Sequence, residues 1–174
     1  MKLCVFGASG PVGRAVVRRA LGQGFEVTAV TRRPDAFGMA APLLRVVAGD
    51  VSDPAQVEAA VRGVDAVISA VGVNPSRGAI TTYSVGTRNM LEAMQRHGVR
   101  RIVSVSLKNL AEQGGAGEPA LFRLVVGPLL HAVNKTLYAD MQRMEVLLRD
   151  SDRDWTVVRP AGLFAADRVS AYRS

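Results

Sequence analysis

The chain has 174 residues, 48% hydrophobic and 21% charged, enough for one domain with a substantial core and too few for two. Its net charge of +7 comes from scattered arginines (Arg18, Arg19, Arg32, Arg33, Arg100, Arg101, Arg143, Arg149) with no basic run and no aromatic stacking platform, which argues against a nucleic-acid partner. No stretch reaches the roughly 20 apolar residues of a membrane span, and Met1 to Phe6 runs into a glycine loop rather than a secretory signal, so the expectation is a cytoplasmic protein with no membrane partner.

Short apolar runs alternate with longer helical patterns, the mark of βαβ units around a parallel sheet. Leu3 to Phe6 predicts the first strand, and a helix follows from Pro11 with Val12, Val16, Val17 and Leu21 on one face. Gly22 and Gly24 end it, and strands follow at Glu26 to Val30 and Leu43 to Val47. Ser52-Asp53-Pro54 reads as a helix start, a capping side chain followed by proline in the first turn. The pattern continues with a strand at Ala66 to Ala70, a helix at Thr82 to Arg96 closed by His97-Gly98, and a strand at Arg101 to Val105. After an irregular, glycine-rich stretch come a long helix from Leu129 to Arg149 and a strand from Trp155 to Val158. The expected architecture is α/β, a Rossmann-like doubly wound parallel sheet with six strands and five main helices, in one domain spanning residues 1–174.

The lone Cys4 lies inside the first apolar run and reads as an inert packed thiol. Met90, Met94, Met141 and Met144 have core spacing, and Trp155 is expected at the sheet edge. No His or Cys stands at metal-ligand spacing, so no metal is expected. His97 suits a helix C-terminus, and His131 reads as structural.

The chemistry concentrates in Gly7-Ala8-Ser9-Gly10-Pro11-Val12-Gly13, between the first strand and helix. In such a loop the first glycine allows a tight turn and the second lets the backbone approach a pyrophosphate. The third permits close packing of helix on strand. Exposed amides and the positive helix end favour phosphates, so Gly7, Ser9, Gly10, Pro11, Val12 and Gly13 are predicted to hold a dinucleotide. The second strand ends Val30-Thr31-Arg32-Arg33 with no acid, and two guanidinium groups suit a 2′-phosphate, predicting NADPH over NADH. At later strand ends, Asp50 can accept from the adenine amino group and Val51 can cover its face. Ala70, Val71 and Gly72 are small enough to let the ribose near the backbone.

Gly7 to Gly13, Val30 to Arg33, Gly49-Asp50-Val51, Asp65 to Ser69, Gly86-Thr87-Arg88-Asn89, His97-Gly98-Val99 and Trp155 to Pro160 together resemble the atypical short-chain dehydrogenases. More narrowly, the chain looks like the NmrA-like and biliverdin reductase B (flavin reductase) group of NAD(P)H-binding proteins. The resemblance implies Arg32, Asp50, Val51 and Gly72 as cofactor contacts, and Pro160, Ala161 and Leu163 lining the nicotinamide end. It also implies further chain beyond the position of Tyr172. The domain is therefore expected to be short at its C-terminus, with its substrate side covered otherwise, for example by a partner subunit, in a monomer or homodimer.

The wider superfamily's Tyr-x-x-x-Lys pair works because the ammonium lowers the phenol pKa. Here the nearest match, Tyr138-Ala139-Asp140-Met141-Gln142, has glutamine in place of lysine, and Ser106-Leu107 stands where relatives carry paired serines. The catalytic candidates are therefore Ser106, also a cofactor contact, with Tyr138 and Lys135 three apart on the long helix. Lys108 and Asn109 are expected at the cofactor mouth. These features lead to an NADPH-dependent oxidoreductase acting on a conjugated small molecule such as a quinone, flavin or aromatic polyketide, which solvent can protonate. The alternatives are a non-catalytic NADP(H)-binding redox sensor and a biosynthetic isomerase or dehydratase.

Overall fold

A computed structural model of the chain describes residues 1–73, 78–106 and 127–160, with side chains in the last stretch from Thr136 onward. Six strands form one parallel sheet: β1 (Lys2–Phe6), β2 (Glu26–Thr31), β3 (Leu44–Ala48), β4 (Ala66–Ser69), β5 (Arg101–Val105) and β6 (Asp154–Val158). Their order is β3-β2-β1-β4-β5-β6, so the chain moves outward from β1 in one direction and then outward from β4 in the other. The helices are α1 (Pro11–Gly22), α2 (Pro54–Val61), α3 (Thr82–Arg96) and α4 (Gly127–Arg149). Right-handed crossovers place α1 on one face and α2, α3 and α4 on the other, the doubly wound arrangement.

Strand alternation sorts the core between the two faces. Leu3 and Val5 of β1 point to the side where Val17 and Ala20 of α1 pack, together with Phe37. Cys4 and Phe6 point to the other side, against Val57 and Val61, Met90 and Met94, and Met141, Met144 and Leu148. The four methionines with core spacing are all buried. Burial pushes the Cys4 thiol up to about 12, so its reactive thiolate is scarce at neutral pH.

Local signals set the element ends. Asp53 caps α2 by accepting from the Ala55 and Gln56 amides at 2.9 and 3.2 Å, with Pro54 in the first turn. Gly24 and Gly98, both with positive φ, follow the ends of α1 and α3. Element bounds differ from the sequence pattern by at most two residues. Five main helices were expected, and four α-helices stand among the described residues. Between β2 and β3 the chain makes only a 3-10 turn, Pro34–Ala36, opened by Pro34 and followed by Gly38 in the left-handed region. Trp155 sits on the edge strand β6 and is 40% exposed, leaving part of the ring in solvent. No helix among the described residues is long and apolar enough to cross a membrane.

Candidate functional site

A cleft of about 590 Å³ opens at the carboxyl ends of β1 to β5, over the point between β1 and β4 where the strand order reverses. Open α/β sheets bind ligands at this position. The phosphate loop forms its middle. Gly7 has φ +71, and a Cβ there would fall on the Ala70 carbonyl and within 2.7 Å of the Val71 amide. The turn closes with Gly10 N–H donating to the Gly7 carbonyl at 3.1 Å. Gly13 lies against the Gly7 carbonyl and 2.7 Å, measured to an added Cβ, from Ala8 Cα; it packs the helix on the strand end rather than lining the cleft.

Gly10 behaves differently. A Cβ there would meet protein no nearer than 3.4 Å, so the space in front of it is open to the cleft. Gly10 is also the N-cap of α1, with no side-chain cap and no acidic residue in the first turn. Ser9, Gly10, Pro11 and Val12 line the cleft around these uncapped amides, a cradle fitting a pyrophosphate. Arg14, one turn into α1, braces the loop by donating to the Ser9 carbonyl at 3.2 Å while its guanidinium lies 5.0 Å over the Phe37 ring. Sequence reading missed this brace, because Phe37 lies far along the chain.

On the β2–β3 side, Arg32 lines the cleft and Arg33 does not, although both are exposed. Arg33 instead uses its backbone N–H to bond Thr31 Oγ1 at 3.3 Å, and leads into the Pro34 turn. Asp50 Oδ1 accepts from the Ser52 amide (2.9 Å) and hydroxyl (2.6 Å), leaving Oδ2 for a ligand. These bonds, aided by the Arg32 charge, hold the Asp50 carboxyl below the usual carboxylate range. Val51 is held from beneath by α3: Asn89 Nδ2 donates to its carbonyl at 2.8 Å, and a Cβ on Gly86 would come within 2.9 Å of its side chain. The sequence signal for this support was Gly86 with Asn89 three positions on, one helical face of α3.

The β4–β5 side carries Ala70, Val71 and Gly72 at the end of β4, Val105 and Ser106 at the end of β5, Thr82 and Tyr83 from α3, and Met141 from α4. Ser106 is 1% exposed, with its backbone N–H bonded to the Val158 carbonyl at 2.9 Å. Among the described residues its hydroxyl closes no clear hydrogen bond, but it lies near enough to favour the charged form of Glu145. Arg159 binds Glu145 through two guanidinium nitrogens and is the main reason its carboxyl titrates low. Tyr138 does not line the cleft; it is buried, and that burial raises its phenol pKa. Pro160 is half-buried and also outside the lining. The Lys135 and His131 side chains, Leu107, Lys108, Asn109, Ala161, Leu163 and Tyr172 lie outside the described residues.

Tyr83 went unnoticed in the sequence because its importance depends on packing. It is 5% exposed, and its Oη accepts from the Val73 amide at 3.3 Å at the end of β4. Asp140, on α4 and fully buried, accepts from the Tyr83 and Ser84 amides at 2.8 and 3.3 Å and from the Ser84 hydroxyl. Burial first, and Asp140 in addition, raise the Tyr83 pKa, so the phenol stays protonated at neutral pH.

A family model described as NAD(P)H-binding matches residues 7–173, covering the loop and every strand end that forms the cleft. The chain belongs to the NAD(P)H-binding family. The likeness to atypical short-chain dehydrogenases agrees with this membership, and the family is oxidoreductase-like. Within reach of this NAD(P)H-binding family, an uncharacterized chloroplastic protein of Arabidopsis thaliana is 34% identical over 172 residues, covering 93% of this chain and 59% of its own length. An uncharacterized oxidoreductase of Schizosaccharomyces pombe is 27% identical over 174 residues, covering 91% of this chain and 59% of its own. The chain therefore spans 59% of the length of each of these curated relatives. A solved anaerobillin reductase of Escherichia coli O157:H7 shares the fold at a TM-score of 0.68 and 24% identity, over 92% of this chain and 72% of that one.

Proposed function

We propose that the chain is an NADPH-dependent oxidoreductase that reduces a flat conjugated acceptor of the quinone or flavin kind. The observation that carries this reading is Arg32, which lines the cleft at the end of β2 close enough to Asp50 to lower its pKa. A guanidinium there suits the 2′-phosphate that distinguishes NADPH from NADH, and no acid stands at the end of β2 to bond a free ribose diol. Ser9, Gly10 and Val12 would hold the pyrophosphate, Asp50 and Val51 the adenine, and Ala70 to Gly72 the nicotinamide ribose. When bound, NADPH supplies a hydride to the acceptor.

The β4–β5 half of the cleft is walled, among the described residues, by Val71, Gly72, Val105 and Met141, with hydroxyls from Thr82, Tyr83 and Ser106. Such a chamber orients a planar ring and excludes water more than it relays protons. Conjugated acceptors need that much and no more, since solvent can protonate the product. The redox names of the fission-yeast relative and of the fold-sharing E. coli reductase are consistent with this chemistry.

NADPH oxidation followed by stopped flow, with a panel of quinones and flavins, tests the proposal. Turnover that prefers NADPH to NADH is the expected result. Tight NADPH binding with no turnover on any acceptor overturns it and favours a redox-sensing role.

A further inference from the structure

The first turn of α3 is anchored from outside. Thr81, its N-cap, makes no side-chain cap, and Asp140 of α4 takes over that task. Asp140 is in turn held by Arg143 at 3.2 and 3.3 Å, and Arg143 also donates to the Ile80 carbonyl at 3.2 Å, just before the helix. The Tyr83 backbone is thereby locked to α4, and its ring is part of the main core cluster. A tyrosine held this firmly would be expected to spend its hydroxyl proton on the protein. Tyr83 does not: Oη accepts from the Val73 amide, and among the described residues nothing accepts the phenol's own proton. The hydroxyl stands at the end of β4, in the half of the cleft assigned above to the nicotinamide and acceptor.

We infer that Tyr83 is the substrate-binding hydrogen-bond donor of this site, giving its phenol proton as a hydrogen bond to a carbonyl oxygen of the conjugated acceptor. The inference rests on the reductase reading above and adds a recognition element to it. The Val73 amide strengthens the donor by drawing charge from the phenol oxygen, and the fully buried Asp140 serves as its positioning residue. A carbonyl held at one edge by Tyr83 fixes the acceptor ring in the plane set by Val71, Val105 and Met141. This selects quinone-like carbonyl acceptors over conjugated rings without an oxygen at that edge.

Tyr83→Phe keeps the ring and removes only the hydroxyl. The NADP⁺-loaded protein, wild type and variant, would be titrated calorimetrically with a water-soluble 1,4-naphthoquinone, and NADPH oxidation by the same quinone measured in parallel. Loss of one hydrogen bond is expected to weaken quinone binding about three- to tenfold, with NADPH affinity unchanged and kcat/KM for the quinone lowered at least as much. Equal quinone affinity and equal kcat/KM in the two proteins overturn the inference and leave the reductase reading standing. Weakened NADPH binding in the variant also overturns it, by making Tyr83 a cofactor residue. Quinone binding that depends on Tyr83, without turnover in the wild type, supports the inference and refutes the reductase reading. Neither binding nor turnover in the wild type refutes both.

Discussion

Gly10 and Gly13 are three residues apart in one loop, yet a methyl group added to each has opposite consequences. At Gly13 the new Cβ lands among backbone atoms, on the Gly7 carbonyl and 2.7 Å from Ala8 Cα, which cannot rotate away. At Gly10 it meets the Gly7 oxygen at 3.4 Å, an ordinary contact, and otherwise projects into the cleft. Gly13→Ala is therefore expected to lower stability by about 1–3 kcal/mol through overpacking. Gly10→Ala should cost less than about 1 kcal/mol, the scale of a weakened N-cap, while reducing NADPH affinity tenfold or more. Thermal melts paired with calorimetric NADPH titration separate the two effects; equal stability losses with equal affinities would contradict this division of roles. The tight turn at Gly7 and the packing at Gly13 were legible in the sequence because strand, loop and helix leave the backbone few choices there. The choice between Arg32 and Arg33 was not, since neighbouring residues leaving a strand point to opposite sides and only the Pro34 turn decides which side faces the cleft.

Two helices that border the cleft start by different means. α2 carries its own cap, Asp53, and Ser52-Asp53-Pro54 announced it in the sequence. α3 has bounds that the apolar pattern predicts to the residue, from Thr82 to Arg96, but its cap comes from Asp140, 57 residues beyond Tyr83. Spacing rules cannot see a partner that only the packing of α3 against α4 brings near. Asp140 stands inside the nearest match to a tyrosine–lysine motif, between Tyr138 and Gln142. Those two side chains leave the cleft, one into the core and one into solvent, while Asp140 and Met141 turn toward α3 and the cleft. Asp140→Ala strands the Tyr83 and Ser84 amides in a buried place and leaves the Ser84 hydroxyl only its bond to the Thr81 carbonyl at 3.3 Å. It is expected to destabilise the protein by about 2–4 kcal/mol, combining a lost cap with unsatisfied buried donors. Asp140→Asn keeps one carbonyl oxygen and should lose about half as much. Urea unfolding reads this as a lowered midpoint at unchanged m-value; a midpoint equal to wild type in the alanine variant would show that α3 does not depend on this cap.

Across the molecule, the order β3-β2-β1-β4-β5-β6 divides the cleft into two halves that meet only at the β1 loop. A doubly wound parallel sheet of six strands was legible in the sequence, as was the loop between the first strand and helix, but the strand order was not, because right-handed crossovers alone do not fix it. The open part was the β4–β5 half, where Tyr83, Met141 and Ser106 arrive from three separate elements and no short motif joins them. A dinucleotide lying across both halves makes contacts that exist only in the folded chain, so binding should stabilise the whole sheet. At a hundredfold excess over Kd the gain is about 2.7 kcal/mol, equivalent to a Tm rise of about 5–11 °C for a chain of this size. NADPH and NADH at one concentration should therefore give unequal shifts, with NADPH giving the larger. On the proposed reading the difference would reside in the 2′-phosphate and so in Arg32, whose exposed guanidinium would make it sensitive to salt. Arg32→Ala should bring the NADPH shift down to that of NADH while leaving the NADH shift and the unliganded Tm unchanged. An NADPH preference that survives this substitution would move 2′-phosphate recognition away from the end of β2, with Arg33 as the next residue to replace.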